Sequence, residues 1–409
     1  MSIEFAHPGE VGLSARQLGR VDEHLKQRYV NPGKVAGTLT LVARRGKPVY
    51  LSKLGSIDLA RGRPMTEDTI FRIYSMTKPI TSVALMMLYE QGLFHLSDPV
   101  HRYIPQWRDL GVYLAGNYPD FATAPPRRPM TIRDLLSHTS GLTYGFMERT
   151  NVDAAYRKLD IGVRHNGISL HRMVELMAGL PLEFSPGSRW NYSVSTDIVG
   201  HLVEVISGLP FDKYLHDNIF EPLKMVDTAF QVPPDKVDRL AVNYRRTPDK
   251  KLVIEDDAYG SIYLNPPSYC SGGGGLVSTI SDYYRFCRML LNGGELEGAR
   301  ILGPRTIDLM TMNHLPGGAD MRSLNVGTFT QVASEGFGFG LGFSVHLGSN
   351  QSQVMGSKGV YAWGGAASTT FWIDPVEELI VIFMTQFMPS GTFNFAGQLK
   401  AIIYSAIIA

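Results

Sequence analysis

Cysteine is scarce in this chain, with two in 409 residues, Cys270 and Cys287. They make neither a C-x-x-C pair nor a framework of bridges, which excludes a thiol redox motif and a disulfide scaffold. Both read as reduced, packed thiols, which fits a cytoplasmic protein. Neither sign of charge is in excess: 39 basic and 38 acidic residues leave a formal net charge of +1. That balance points to no nucleic-acid partner and no anionic membrane. The N-terminal MSIEFAHPGEVGLS has no basic stretch followed by an apolar one, so no secretory signal is expected. The apolar C-terminal AIIYSAIIA is shorter than the about 20 residues a membrane helix needs, and reads as the end of a docked helix. Familiar catalytic signatures are also missing. There is no G-x-S-x-G nucleophile elbow and no H-E-x-x-H zinc motif. The four glycines at 272–275 are not followed by Lys-Ser/Thr, so they read as a hinge or tight turn rather than a phosphate loop. His171 and Glu175 share helical spacing but read as a solvated face, and His138 reads as a structural hydrogen-bonding residue. No metal or cofactor is implied.

What is present is an ordinary globular composition, 44% hydrophobic and 19% charged, enough for a sizeable core. The length suggests two or three structural units. Residues 12–29 read as an amphipathic helix. A hairpin signal follows, with β-rich runs at 35–42 and 48–53 around a turn at 43–47, and a short strand at 69–73. The clearest helix comes next, with Ile80, Val83, Ala84, Met87 and Leu88 on one face, Pro79 in its first turn and Gly92 at its end. The proline-rich stretch 105–130 reads as an irregular connection. Helical patches fall at 132–138, 169–179, 195–207 and 211–219, and another helix begins near Ser278. Strand patterns dominate the last third, at 337–347, 366–373 and 378–385, the last two joined by the turn Asp374-Pro375-Val376-Glu377. A final helix covers 393–408. Strands at both ends and helices between predict an α+β architecture: an antiparallel sheet built from both chain ends, flanked by helices, with a mainly helical insertion.

One short segment carries reactive chemistry. Tyr74-Ser75-Met76-Thr77-Lys78 contains S-x-x-K at the start of the clearest helix. Residues i and i+3 share a helix face, so the Lys78 amine reaches the Ser75 hydroxyl. A serine hydroxyl attacks poorly unless a base takes its proton. Lysine becomes such a base only when burial or nearby positive potential lowers its usual pKa of about 10.4. Four residues with two fixed also occur by chance, so the motif needs company.

The company is there. S-x-x-K at Ser75–Lys78 is followed by Leu135-Leu136-Ser137-His138-Thr139-Ser140-Gly141-Leu142, then Pro186-Gly187 and Tyr192-Ser193, then Trp363-Gly364-Gly365 on a late strand. This layout resembles the serine β-lactamase and penicillin-binding-protein superfamily, and within it the class C β-lactamases and the related family VIII carboxylesterases. The resemblance implies a β-lactamase-like fold, with 1–104 and 270–409 forming the sheet unit, 105–269 the helical unit, and the active site between them. It implies that Ser75 is the nucleophile and that Tyr192 shares proton transfer with Lys78. It also implies that the N–H groups of Ser75 and Ala366 form the oxyanion hole, with Trp363, Gly364 and Gly365 binding substrate. Two departures are informative. The family's Y-x-N motif is Tyr192-Ser193-Val194 here, without the amide that orients the lysine, and its K-T-G motif is Trp363-Gly364-Gly365, as in the esterase branch. Without the K-T-G lysine, Lys78 is the only cation expected near Tyr192, so a coupled Lys78–Tyr192 pair sharing one proton is expected.

Read apart from the family, Tyr192 could be a core tyrosine beside Trp190, and Trp363-Gly364-Gly365 a bulge in an edge strand. The expected activity is hydrolysis of small, neutral carboxylic esters, with a small-molecule ester as substrate and neither nucleic acid nor membrane as a partner. The rivals are an acyltransferase or amidohydrolase on the same machinery, and a non-catalytic penicillin-binding-like scaffold.

Overall fold

The computed structural model describes residues 4–327 and 335–408. Its centre is an eight-stranded antiparallel sheet. The first strands are β1 (Gly37–Arg44), β2 (Lys47–Asp58) and β3 (Arg63–Pro64). Those from the end of the chain are β4 (Phe337–Phe339), β5 (Ser344–His346), β6 (Tyr361–Gly364), β7 (Thr370–Asp374) and β8 (Leu379–Met384). Their spatial order is β4-β5-β6-β7-β8-β1-β2-β3. The two chain ends meet where β1 pairs with β8, Leu39 opposite Met384. This is the antiparallel sheet built from both chain ends that the strand pattern predicts, and it agrees with the fold the resemblance implies.

Local chemistry explains the elements. All eight residues of β1 are buried, so its run of Leu, Val and Thr serves two faces of a covered sheet. The β1–β2 hairpin closes through Arg45-Gly46, both at positive φ (51° and 75°). Asp374 ends β7 as expected of a turn residue, its Oδ1 accepting from the N–H of Val376 (3.0 Å) and Glu377 (3.1 Å). On the outer face Val42, Trp372, Val381 and Phe383 pack against the N-terminal residues Leu18, Val21 and Leu25. The C-terminal helix Phe395–Tyr404 adds Leu399 and Ile403 to that layer. On the inner face Leu39, Leu41, Phe371 and Ile382 join the larger core.

Through that core runs α1 (Thr77–Glu90). It is not one-faced: every residue from Thr77 to Met86 is buried, as in a helix enclosed on all sides. It is surrounded by the sheet, by α2 (Ser195–Ser207) and by α3 (Ile280–Leu291), whose first turn is capped by Thr279.

Four segments differ from the sequence reading. Residues 105–130 contain an antiparallel hairpin, Val112–Asn117 with Asp120–Ala124; the surrounding prolines masked a short exposed ribbon. A helix at Asn151–Lys158 was unexpected, although Thr150 and Asp153 form a capping box there. A hairpin at Asn243–Arg246 and Leu252–Asp256 was also unexpected, and it pairs in parallel with Phe387–Met388. The pattern at 12–29 is broken into Ala15–Leu18, Arg20–Leu25 and a wider turn, Lys26–Val30. Both cysteines are free, and burial raises both thiol pKa values, Cys270 to about 12. No helix of the described residues is long and apolar enough to cross a membrane.

Candidate active site

Ser75 sits in a single 3-10 turn, Tyr74–Met76, immediately before α1. Tyr74 has φ +41°, a left-handed conformation that costs a non-glycine residue energy and needs the surroundings to enforce it. They do so from two directions. Phe71–Arg72 pairs with Val277–Ser278. The buried Arg72 guanidinium donates to Asp256 Oδ2 (2.6 Å), the Ala241 carbonyl (2.5 Å) and Ser261 Oγ (3.0 Å). Gln386 closes the arrangement, accepting from the Arg72 N–H (3.1 Å) and donating to its carbonyl (3.1 Å).

Ser75 Oγ accepts two hydrogen bonds, from Lys78 Nζ at 3.2 Å and from the Tyr192 hydroxyl at 2.6 Å. Lys78 is 1% exposed. Its Nζ also donates to the Tyr144 hydroxyl (3.0 Å) and the Gly273 carbonyl (2.6 Å). The three expected residues are therefore together, but wired differently. The Lys78 ammonium lies over the Tyr192 ring, 4.5 Å from its centroid, and the two groups meet at Ser75 Oγ. The hydroxyl bonded to Lys78 belongs to Tyr144, which the sequence reading passed over although it lies just beyond the Ser137–Leu142 segment.

Two more groups were missed. Asp197, in the first turn of α2, accepts from Ser271 Oγ (2.5 Å) and from the Gly273 N–H (3.1 Å). It thereby fixes the peptide whose carbonyl holds Lys78. Burial raises the Asp197 pKa, opposed by the Ser271 bond and by the Lys78 charge. Burial also raises Tyr144 well above its usual value, with Tyr192 and Asp197 adding to the effect, so Tyr144 stays a neutral hydroxyl. The glycines at 272–275 are thus a wall of the site. A Cβ on Gly273 would lie 2.5 Å from Asp197 Oδ2 and 3.1 Å from the Tyr144 hydroxyl. Gly273→Ala should therefore displace the Lys78 support. The expected result is a fall of about 10²-fold in kcat/KM on a short ester, the scale of a 1 Å misplacement. The melting temperature should change little; wild-type turnover would show that this contact does not position Lys78.

The late strand supplies the opposite wall. β5 pairs with β6 only at Tyr361 and Ala362, so Trp363 and Gly364 form an open edge. Gly365 approaches the nucleophile's turn so closely that a Cβ would lie 2.5 Å from the Ile73 carbonyl and 2.3 Å from Thr369 Oγ1. Ser75 and Ala366 both line the cleft. Trp363 lines it as well but is 6% exposed, its ring 5.6 Å from Tyr192 and 5.1 Å from Phe339. Its indole N–H is buried with no partner among the described residues, so it presents an apolar edge and supports Tyr192. The cleft has a volume of about 860 Å³, and Phe146, 56% exposed and stacked on Tyr144, forms part of its rim.

The beta-lactamase family pattern matches residues 22–404. The chain belongs to the beta-lactamase family. It is 36% identical to Protein Rv1367c of Mycobacterium tuberculosis (strain ATCC 25618 / H37Rv) over 368 residues, 89% of each chain. It is 29% identical to esterase EstB of Burkholderia gladioli over 416 residues, 97% of this chain and 95% of that one. Among solved structures it is similar to EstCE1, described as a hydrolase with promiscuous acyltransferase activity. That likeness has a TM-score of 0.80 and 26% identity, covering 95% of this chain and 99% of the other. These likenesses agree with the family VIII esterase branch.

Against the beta-lactamase pattern, the position of the missing amide is instructive. Val194 is fully buried and offers no polar group. The Gly273 carbonyl and the Tyr144 hydroxyl hold the Lys78 amine instead. The flanking Ser193 and Ser195 turn to a buried hydroxyl chain with Ser140 (2.8 Å links). His138 Nδ1 lies 3.1 Å from Ser193 Oγ and its ring 5.0 Å from that of Tyr192. Burial, then the Lys78 charge, lowers its pKa well below the usual value, so His138 is a neutral structural residue as expected. His171 and Glu175 form an exposed pair at 3.2 Å, the solvated face expected of them.

Proposed function

We propose that this protein is a serine hydrolase of small, neutral carboxylic esters that acts through an acyl-enzyme on Ser75. The observation that carries the reading is the convergence of Lys78 Nζ and the Tyr192 hydroxyl on Ser75 Oγ. Esterase EstB and EstCE1 support a hydrolase or acyltransferase on this fold. In the reaction, Ser75 Oγ attacks the ester carbonyl while its proton passes to the Lys78 amine. The Gly273 carbonyl and the Tyr144 hydroxyl hold that amine against Ser75. The N–H groups of Ser75 and Ala366, which make no hydrogen bond to another described residue, hold the oxyanion. Tyr192 protonates the leaving alkoxide. Water then attacks the acyl-enzyme by the reverse path. The reading carries a two-unit organisation, with 1–104 and 270–409 contributing Ser75, Lys78, Gly273 and Ala366, and 105–269 contributing Tyr144, Tyr192 and Asp197. It also carries a cytoplasmic location, which rests on the two unpaired thiols.

A second reading, transfer of the acyl group to an alcohol, is favoured by the size of the cleft, which leaves room for an acceptor beside an acyl-serine. Product analysis with added alcohol separates the two.

The test is a panel of p-nitrophenyl esters of increasing acyl length beside a chromogenic cephalosporin. Trp363 and Val194 stand where a β-lactamase has a lysine and an amide. A lost charge-assisted bond to the drug carboxylate is worth about 1.5–3 kcal/mol. Ester kcat/KM is therefore expected to exceed that for the cephalosporin by orders of magnitude. Comparable efficiency on both refutes the preference. Trp363→Ala should lower kcat on every ester through loss of the Tyr192 contact, with a further loss on bulky apolar ones; unchanged kcat on acetates would leave the indole a substrate contact alone.

A further inference from the structure

The cleft does not end at Ser75. Its lining continues past the open edge of β6 onto the outer face of the sheet, where Ala362 and Trp372 are paired neighbours. There it reaches Lys400, on α4 (Phe395–Tyr404). Lys400 is 6% exposed, and its ammonium makes no hydrogen bond to any described residue. It lies over two aromatic faces, 5.4 Å from the centroid of Phe337 and 5.6 Å from that of Trp372. The charge of Asp374 opposes the effect of burial on Lys400 only in part, and its oxygens are committed elsewhere. Asp374 Oδ1 accepts from Val376 and Glu377, and Oδ2 from the Ser357 N–H (3.1 Å) and the Tyr404 hydroxyl (2.7 Å). His346 nearby is also committed, to the Ser357 carbonyl (2.9 Å) and Ser352 Oγ (2.5 Å), and burial lowers its pKa.

The Lys400 stem is buried while its amine opens to the cleft, so the amine's donors are left to whatever occupies the groove, and a methionine would fill the same space without a charge. Burial pulls the Lys400 pKa down to about 8, so near neutral pH the charge persists with no hydrogen-bonding partner. A single cation between apolar walls suits a monoanion carried on an apolar chain.

We propose that the chamber around Lys400 is a subsite for a carboxylate at the far end of the substrate's acyl chain, so that the enzyme's own substrates include hemi-esters of dicarboxylic acids. This deepens and rests on the esterase reading: the scissile end is neutral and the charge lies at a distance from it. Phe337 and Val354 line the groove beside the methylene chain, and Lys400 reads its terminus.

The experiment compares p-nitrophenyl hemi-esters of dicarboxylic acids of increasing length with p-nitrophenyl esters of monocarboxylic acids of the same length. At the length that spans the groove, Lys400→Met should raise KM for the hemi-ester tenfold or more and leave the neutral ester within about twofold. Lys400→Arg should restore part of the difference. Equal changes on both series, or none on either, overturn the subsite. Binding is read separately by calorimetry of free dicarboxylates on Ser75→Ala, with and without Lys400→Met. Dicarboxylate binding lost with Lys400, in a protein whose wild type turns over no ester, would leave the subsite standing and remove the esterase reading. Ester turnover with dicarboxylates bound no better than monoacids would do the reverse.

Discussion

Ser75→Ala is expected to abolish ester turnover, lowering kcat on the order of 10⁴–10⁶-fold, with the melting temperature close to wild type. Removing the nucleophile of a unit that acts together costs about as much as removing the whole unit. Ser75 Oγ is the acceptor at which Lys78 Nζ and the Tyr192 hydroxyl meet, so no neighbouring group can take its place. The turn that presents it is held by Arg72 and Gln386 through contacts that do not involve the serine side chain. The substitution should therefore be silent in folding. The checks are steady-state hydrolysis of a short p-nitrophenyl ester, a thermal melt, and a fluorophosphonate label that maps to the peptide holding Ser75 in the wild type only. A folded variant that keeps more than about a hundredth of wild-type turnover rules out Ser75 as the nucleophile.

Lys78→Arg should be nearly as severe, with kcat/KM down by about 10²–10⁴, the usual worth of a positioned base. Arginine keeps the positive charge but does not become neutral in a protein, so it cannot accept the Ser75 proton. The fit is also poor. Lys78 is 1% exposed, and its amine is fixed by three acceptors, the Ser75 and Tyr144 hydroxyls and the Gly273 carbonyl. A planar guanidinium cannot address all three from one nitrogen. Measurement across a pH series separates the two effects. A missing base changes the shape of the pH profile, whereas a misfit alone lowers activity by the same factor at every pH. A variant within about tenfold of wild type at every pH would make Lys78 an electrostatic support, and Tyr192 alone would then carry the proton.

Much of this could be read from the amino-acid order, and the reason is local. Ser75 and Lys78 are three residues apart, so their meeting needs only one helical turn. The β1–β2 hairpin and the Asp374 turn are likewise fixed by neighbours in sequence. Tyr192 and Trp363 needed the family resemblance, because each is a lone aromatic among many. What stayed hidden depends on distant partners. Tyr144, Asp197 and Gly273 are ordinary residues until the fold brings residue 273 against residues 78 and 197. The glycine cluster was visible, but its purpose, leaving room for Asp197 and Tyr144, is a property of the packed site. The hairpin at 112–124 was concealed by flanking prolines, and its strands are mostly exposed and carry little burial pattern. Trp363 was expected to bind substrate, and it lines the cleft, but its contact with Tyr192 is a property of the packed site.

The pairing of β1 with β8 also governs how this chain is made. Leu39 lies opposite Met384, so the partner of the first long strand is made about 340 residues later. At about 5–20 residues per second, synthesis of the intervening chain takes on the order of tens of seconds. Throughout that interval β1 can pair with β2, while its other edge has no native partner. Such non-local closure makes folding slow compared with helical proteins of similar size. It also makes the nascent chain a substrate for chaperones that shield strand edges, and high-level expression a contest between late closure and edge-to-edge aggregation.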